Sequence, residues 1–203
     1  MEIENGHRDN LRILTVGHSD HTLEHFLNLL RLYSVEVIAD TRSYPYSNFA
    51  PQYDQKPLRK ALRDARVRYV HLGRELGGRP KGHQYYDLGG HVLYGKVADS
   101  GDFKAGIARL EKGIRKYRVA LLCAEEDPTM CHRRLLIGRV LLRHGVEIEH
   151  IRGDGCLQSE SELSQQLNGS QPQMNLFTEA EASEWKSIPS VLRKRRQSSS
   201  SAP

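Results

Sequence analysis

Cysteine is scarce in this chain: three in 203 residues, at Cys123, Cys131 and Cys156. An odd number without framework spacing excludes a disulfide-stapled scaffold and points to a reducing compartment. Long hydrophobic runs are missing as well. Mean hydropathy is −0.60, and no stretch approaches the ~20 apolar residues of a membrane span. Residues 1–8 hold no apolar segment of the kind a secretory signal needs. These absences predict a cytoplasmic protein with no membrane partner. Apolar residues still make up 38% of the chain, enough for a single core.

Charge is spread unevenly. The formal net charge is +5. Residues 152–203 contribute none of it, because their six basic and six acidic residues cancel. Residues 41–81 carry ten basic and three acidic residues, a local net of +7. Tyr44, Tyr46, Phe49, Tyr53 and Tyr69 are interleaved with them. Cations neutralise phosphates and aromatic rings stack on unpaired bases, so this mixture suits a nucleic-acid surface. A solvated helix face with core tyrosines is the plainer alternative.

Apolar periodicity predicts strands at 12–17, 35–39, 67–72, 119–124 and 146–151. Helical spacing falls at 22–33 with Thr22 as N-cap, at 57–65, at 102–117 capped by Asp102, and at 129–144 ending before Gly145. Strands alternate with helices, and most strands are continuous apolar runs. That pattern predicts a doubly wound α/β domain over residues 11–151, with a mainly parallel five-stranded sheet and helices on both faces. Residues 73–101 form a long glycine-rich connection. From 152 onward Ser, Gln, Glu, Gly and Asn dominate, which predicts a disordered polar tail with helical spacing near 159–167.

Ligands of open α/β sheets bind outside the carboxyl ends of the strands. His18 and Ser19 follow the first predicted strand. Asp40, Arg42, Tyr44, Tyr46 and Ser47 follow the second. Cys123, Glu125, Cys131, His132 and Arg133 follow the fourth. Glu125, Cys131, His132, Cys123 and Asp40 are the candidate catalytic groups, by acid–base or covalent chemistry. His18, Ser19, Arg42, Tyr44, Tyr46, Ser47 and Arg133 are the candidate substrate-binding groups. Plainer roles stand beside each: Cys123 as a small core residue, His132 and Arg133 as partners of the acidic residues at 125–127, and Asp40 with Arg42 as a structural ion pair.

Three standard motifs fail on spacing. A phosphatase loop from Cys123 would need Arg at 129, where Thr129 stands. No P-loop or glycine-rich dinucleotide fingerprint follows the first strand. Cys123, Cys131 and His132 could contribute to a zinc site, but the gap between the two cysteines matches no zinc ribbon or finger, so neither a metal nor a cofactor is expected.

Four groups of residues together resemble the family named domain of unknown function 488. They are Thr15, Val16, Gly17, His18 and Ser19; Asp40 through Ser47 with Phe49; Tyr69 and Leu72 with Leu76, Gly77 and Gly78; and Leu122, Cys123 and Glu125 leading to Cys131, His132 and Arg133. The resemblance spans about residues 11–151 and implies an α/β fold with one shared pocket. It implies no reaction.

In the tail, Gln173, Met174, Asn175, Leu176 and Phe177 look like the Gln-Leu-Ser/Asp-Leu-Phe pentapeptide by which bacterial replication and repair proteins bind the sliding clamp. A flexible tether would offer the Leu-Phe pair to an apolar pocket. A basic cluster follows at 193–196. The combined expectation is a bacterial α/β enzyme that processes DNA or a nucleotide-like substrate in repair. It would cleave a glycosidic or phosphoester bond and be tethered to the clamp. The alternatives are a non-catalytic DNA-binding module recruited to the clamp and a thiol-dependent enzyme of small molecules.

Overall fold

The computed structural model describes residues 11–169 and 185–188. The 173–177 peptide and the 193–196 cluster lie outside the described residues. Six strands form one sheet: β1 (Arg12–Gly17), β2 (Val37–Asp40), β3 (Arg68–His71), β4 (Val119–Cys123), β5 (Glu147–Ile151) and β6 (Leu157–Ser159). Their order is β3-β2-β4-β1-β5-β6. The first five strands are parallel, and β6 pairs antiparallel with β5.

The helices are α1 (Leu23–Leu32), α2 (Gln55–Asp64), α3 (Gly73–Leu76), α4 (Tyr94–Asp99), α5 (Gly101–Ile114), α6 (Arg139–Arg143) and α7 (Glu160–Gly169). Thr22 caps α1 by accepting from His25 N at 3.2 Å. Helix α5 begins one residue before Asp102, and its cap is Ser100, whose Oγ accepts from Phe103 N. The periodic run at 129–144 is not one helix. Pro128–Met130 is a 3-10 turn, Cys131 is extended, and Arg133–Gly138 is π-helical before α6. Gly145, at φ +77°, ends α6 in the left-handed region.

Alternation along the strands divides two apolar cores. Leu14, Val16, Ile38, Ala120 and Leu122 pack with Phe26 and Leu30 of α1 and Leu58 and Leu62 of α2. Ile13, Val37, Ala39, Val119 and Leu121 pack on the opposite face with Phe103, Ile107 and Leu110 of α5 and with Leu136, Ile137 and Leu141. Both faces are therefore covered, as the continuous apolar strands require.

The sheet has six strands rather than five, and ordered structure continues past residue 152. Strand β6 escapes the sequence pattern because it is three residues long and only its Leu157 is apolar. Helix α7 is fixed by charge rather than by an apolar stripe. Glu160, 6% exposed, receives Arg134 Nε at 2.9 and 3.0 Å and bonds His150 Nε2 at 2.9 Å. Further on, Ser187 N donates to Val92 O at 2.8 Å and Trp185 Nε1 to Leu135 O at 2.8 Å. No helix among the described residues is long and apolar enough to cross a membrane.

Candidate functional site

Chain direction places the site. After β1 and β2 the chain turns to the face carrying α1 and α2. After β4 it turns to the opposite face, toward α6. Because β4 lies between β2 and β1, its carboxyl end is a switch point on both sides, where a crevice opens. Register brings Gly17 level with Cys123 and Asp40 level with Leu122.

Backbone contacts then draw the loops together. His18 N donates to Cys123 O at 3.1 Å, Ser19 N to Ala124 O at 2.8 Å, and Thr41 N to Leu122 O at 3.1 Å. A Cβ at Gly17 would lie 1.9 Å from Glu125 O, so only glycine admits this approach. At Gly78 a Cβ would lie 2.8 Å from the His132 ring, which lets the loop after α3 close over the imidazole.

A cavity of about 220 Å³ results. Its lining includes His18, Arg42, Tyr44, Tyr46, Ser47, Cys123, Glu125 and His132, all anticipated from sequence. Ser43, Gly78, Arg79 and Ala124 also line it; the first two and Ala124 lie within the motifs of the family resemblance, but none of the four was singled out as a site residue. The basic run at 41–81 and the Gly77-Gly78 pair were the signals for Arg79 and Gly78. Ordinary ligand clefts hold roughly 300–1,000 Å³, so a large substrate enters with one end only.

The remaining anticipated residues sit behind or beside the lining. Asp40 is fully buried and forms the ion pair with Arg42. Arg42 Nε donates to Asp40 Oδ1 at 2.9 Å and Nη2 to Oδ2 at 2.7 Å. Asp40 is thus a positioning group rather than a catalytic one. Arg42 Nη2 also donates to Tyr53 O, and Nη1 to His18 Nε2 at 3.2 Å. Of five guanidinium N–H groups, one on Nη1 is left for a ligand. Arg133 is fully buried and donates to the carbonyls of Glu125 and Glu126. It holds the loop that carries Glu125 and does not line the cavity, although its charge made it a candidate substrate-binding group. Ser19 lies outside the lining, and its hydroxyl turns to Asp20 Oδ1 at 3.2 Å.

The floor, with the fully buried Cys131 directly behind it, is a cluster of acids and one imidazole. Cys123 Sγ lies 2.8 Å from Glu125 Oε2 and 3.6 Å from His132 Nδ1. Cys131 Sγ lies 3.3 Å from Glu125 Oε2 and 3.8 Å from His132 Nδ1. His132 Nε2 donates to Thr41 O at 3.2 Å, so Nδ1 faces the sulfurs. Burial opposes a Cys123 thiolate. Hydrogen bonding from Cys131 and the charges of His132 and Arg133 outweigh it, and the Cys123 pKa falls well below the usual thiol range. Burial and the neighbouring Cys123 push Cys131 well above it. Burial lowers His132, but Cys123 and Glu125 outweigh burial and the net shift is upward. Glu125 is raised by burial and then by Cys123. Two anions 2.8 Å apart repel, so Cys123 and Glu125 share a proton.

His18 behaves in the opposite way. Burial, then Arg42, lowers its pKa to about 4. Its Nδ1–H donates to Ser19 O at 2.8 Å, and its ring stacks on Tyr53 at 4.2 Å. It is a neutral acceptor that orients Arg42.

Fold and site together define an open α/β domain with a thiol-, imidazole- and carboxylate-lined pocket at its switch point. The family model described as "Domain of unknown function DUF488" matches residues 22–140. The match covers more than half of the chain, which belongs to that family. Gly17 and His18 lie just before the matched segment, although they build the same pocket. No curated protein and no solved structure matches the chain.

Proposed function

We propose that this protein is an enzyme that processes DNA or a nucleotide-like substrate by hydrolytic cleavage of a glycosidic or phosphoester bond. Glu125 is the acid–base group that reaches the substrate. Arg42 and Arg79 receive a phosphate at the rim, and Tyr44 or Tyr46 stacks on a base. If a base is the target, it must leave the helical stack to enter so small a cavity.

The observation that carries this reading is the neighbourhood of the cavity: exposed rings on its lining loop, and a cation-lined groove on the helix that follows that loop. A reactive cavity opens beside three exposed aromatic rings, Tyr44 at 62%, Tyr46 at 63% and Phe49 at 99% exposure. The same loop joins α2 through the bond from Gln55 N to Pro45 O at 2.9 Å. Lys56, Arg59, Lys60 and Arg63 of α2 line a groove of about 580 Å³ with Arg66 and Arg68. Stacking rings leading into a run of cations suit an unpaired strand and its phosphates. The 173–177 peptide would tether the enzyme to the sliding clamp.

The test is mass spectrometry of defined single- and double-stranded DNA, including damaged bases, after incubation with the protein and with Glu125→Gln. A product formed by the parent and absent with the variant is expected. No product from any substrate, alongside steeply salt-dependent binding, selects the non-catalytic DNA-binding alternative. For the tether, Phe177→Ala should abolish retention on immobilised clamp.

A further inference from the structure

The cavity floor has the geometry of a metal site, which the spacing along the chain concealed. Cys123 Sγ, Cys131 Sγ and a ring nitrogen of His132 all lie within 4.8 Å of one another. The measured edges to His132 Nδ1 are 3.6 Å from Cys123 and 3.8 Å from Cys131. Zinc bonds of ~2.3 Å to sulfur and ~2.0 Å to nitrogen, at tetrahedral angles, place sulfur and nitrogen roughly 3.5 Å apart. The observed edges are within a few tenths of an ångström of that value. Glu125 Oε2 stands 2.8 and 3.3 Å from the two sulfurs, at hydrogen-bond distance beside the three-ligand group.

Three further observations agree. His132 Nε2 is committed to Thr41 O, which fixes the ring and presents Nδ1, the usual support of a metal-bound imidazole. Arg133 N donates to Cys131 Sγ at 3.4 Å, a bond suited to a thiolate ligand. Tyr94 is fully buried near this cluster, and its hydroxyl has no hydrogen-bond partner among the described residues. The ligand atoms come from the end of β4, its loop and the turn before the π-helical segment, all held by backbone bonds.

We propose that Cys123, Cys131 and His132 bind a zinc-class divalent ion, with the fourth position open toward the cavity beside Glu125. Two sulfurs and an imidazole are soft donors that select zinc over magnesium or calcium. Glu125 lines the cavity next to that position and would hydrogen-bond a water or substrate oxygen held there. The ion would lie at the inner end of the cavity. The proposal rests on the same side chains as the proposed function but not on the identity of the substrate.

The test uses the full-length reduced protein, stripped with a chelator and titrated with Zn²⁺ and with Co²⁺. One equivalent of zinc per chain is expected, with a rise in Tm on binding. Co²⁺ should give a thiolate charge-transfer band with tetrahedral d–d absorption, bleached by added zinc. Cys123→Ser and Cys131→Ser should each weaken the band, and the double variant should lose it. Glu125→Gln, which leaves the three ligands in place, should keep the stoichiometry. Absence of stoichiometric zinc uptake, an octahedral cobalt spectrum, or a Cys123–Cys131 disulfide forming in place of metal uptake by the parent protein overturns the proposal. These readouts on the parent protein stand even if a variant fails to fold. Metal uptake and turnover are scored separately. Zinc bound without any DNA product overturns the nucleic-acid reading alone, and turnover by protein that takes up no ion overturns the metal site alone.

Discussion

Replacing Asp40 with Asn tests whether that residue builds the pocket or acts in it. Four donors converge on the Asp40 carboxylate. Arg42 Nε and the Arg42 backbone N–H point to Oδ1, at 2.9 and 3.0 Å. Arg42 Nη2 and the Tyr69 hydroxyl point to Oδ2, both at 2.7 Å. An Asn side chain has one acceptor oxygen. Whichever way its amide turns, one pair of donors faces an NH₂ group. Each donor stranded in this way costs about 1–3 kcal/mol. The Arg42 charge, 6% exposed, loses its counter-ion as well. Breaking a buried pair from one side costs about 3–5 kcal/mol. These two costs describe the same loss and are not summed.

The expected destabilisation is therefore about 3–5 kcal/mol, which lowers Tm by roughly 6–20 °C for a domain of this size. Urea unfolding followed by circular dichroism, at unchanged m, measures it directly. A second variant sharpens the reasoning. Asp40→Leu combined with Arg42→Met removes both charges and should cost less than Asp40→Asn alone. A loss under about 1 kcal/mol for Asp40→Asn, or a double variant worse than the single one, would refute the ion-pair account. Lost turnover with unchanged stability would restore a direct catalytic role for Asp40.

The remaining predictions follow from the same geometry. Gly17→Ala should destabilise by roughly 3 kcal/mol or more, because backbone atoms on both sides must move; a melting curve within a degree or two of the parent would contradict the close approach at Glu125 O. His18 is neutral in the folded protein down to about pH 4 but gains a proton near pH 6.5 when unfolded. Its contribution to stability is complete above pH 6.5 and declines as pH falls toward 4, by up to about 3 kcal/mol; His18→Gln should flatten that part of the stability profile. Arg59→Glu with Arg63→Glu on exposed α2 should leave Tm unchanged, weaken DNA binding and lower the salt slope by roughly 1 per lost phosphate contact; unchanged affinity would remove α2 from the DNA surface.

Much of the fold was legible because its strands are buried on both faces. Continuous runs such as Val119–Cys123 declare themselves without any partner information. What failed to show depends on side chains meeting across the fold. The helical spacing near 159–167 was legible and α7 forms there, but its docking through Glu160 on Arg134 and His150 was not, because an ionic anchor leaves no periodic trace. The run at 129–144 looks like one amphipathic helix. Asp127 instead caps Thr129 N at 2.8 Å, and the next residues leave helical geometry. That break makes Cys131 extended and turns it toward Glu125. Arg133 was read as a phosphate ligand because sequence reports a guanidinium's charge and not its direction.

The site itself was half legible, and the missing half is strand order. Sequence supplies which residues follow each strand, and eight of the twelve candidates among them line the cavity, while Ser19, Asp40, Cys131 and Arg133 sit beside or behind it. It does not say that β4 lies between β2 and β1. Had β4 formed an edge, Cys123 and Glu125 would stand beside at most one of the loops carrying His18 and Arg42. The inserted strand brings His132 Nε2 to Thr41 O and Gly17 against Glu125 O at once. It also explains why Arg133 is buried: a loop squeezed between two neighbours needs its carbonyls at Glu125 and Glu126 satisfied from within. An Arg133→Leu change would strand both carbonyls and loosen Glu125. Arg133 is thus the residue through which the packing of the sheet reaches the chemistry of the pocket.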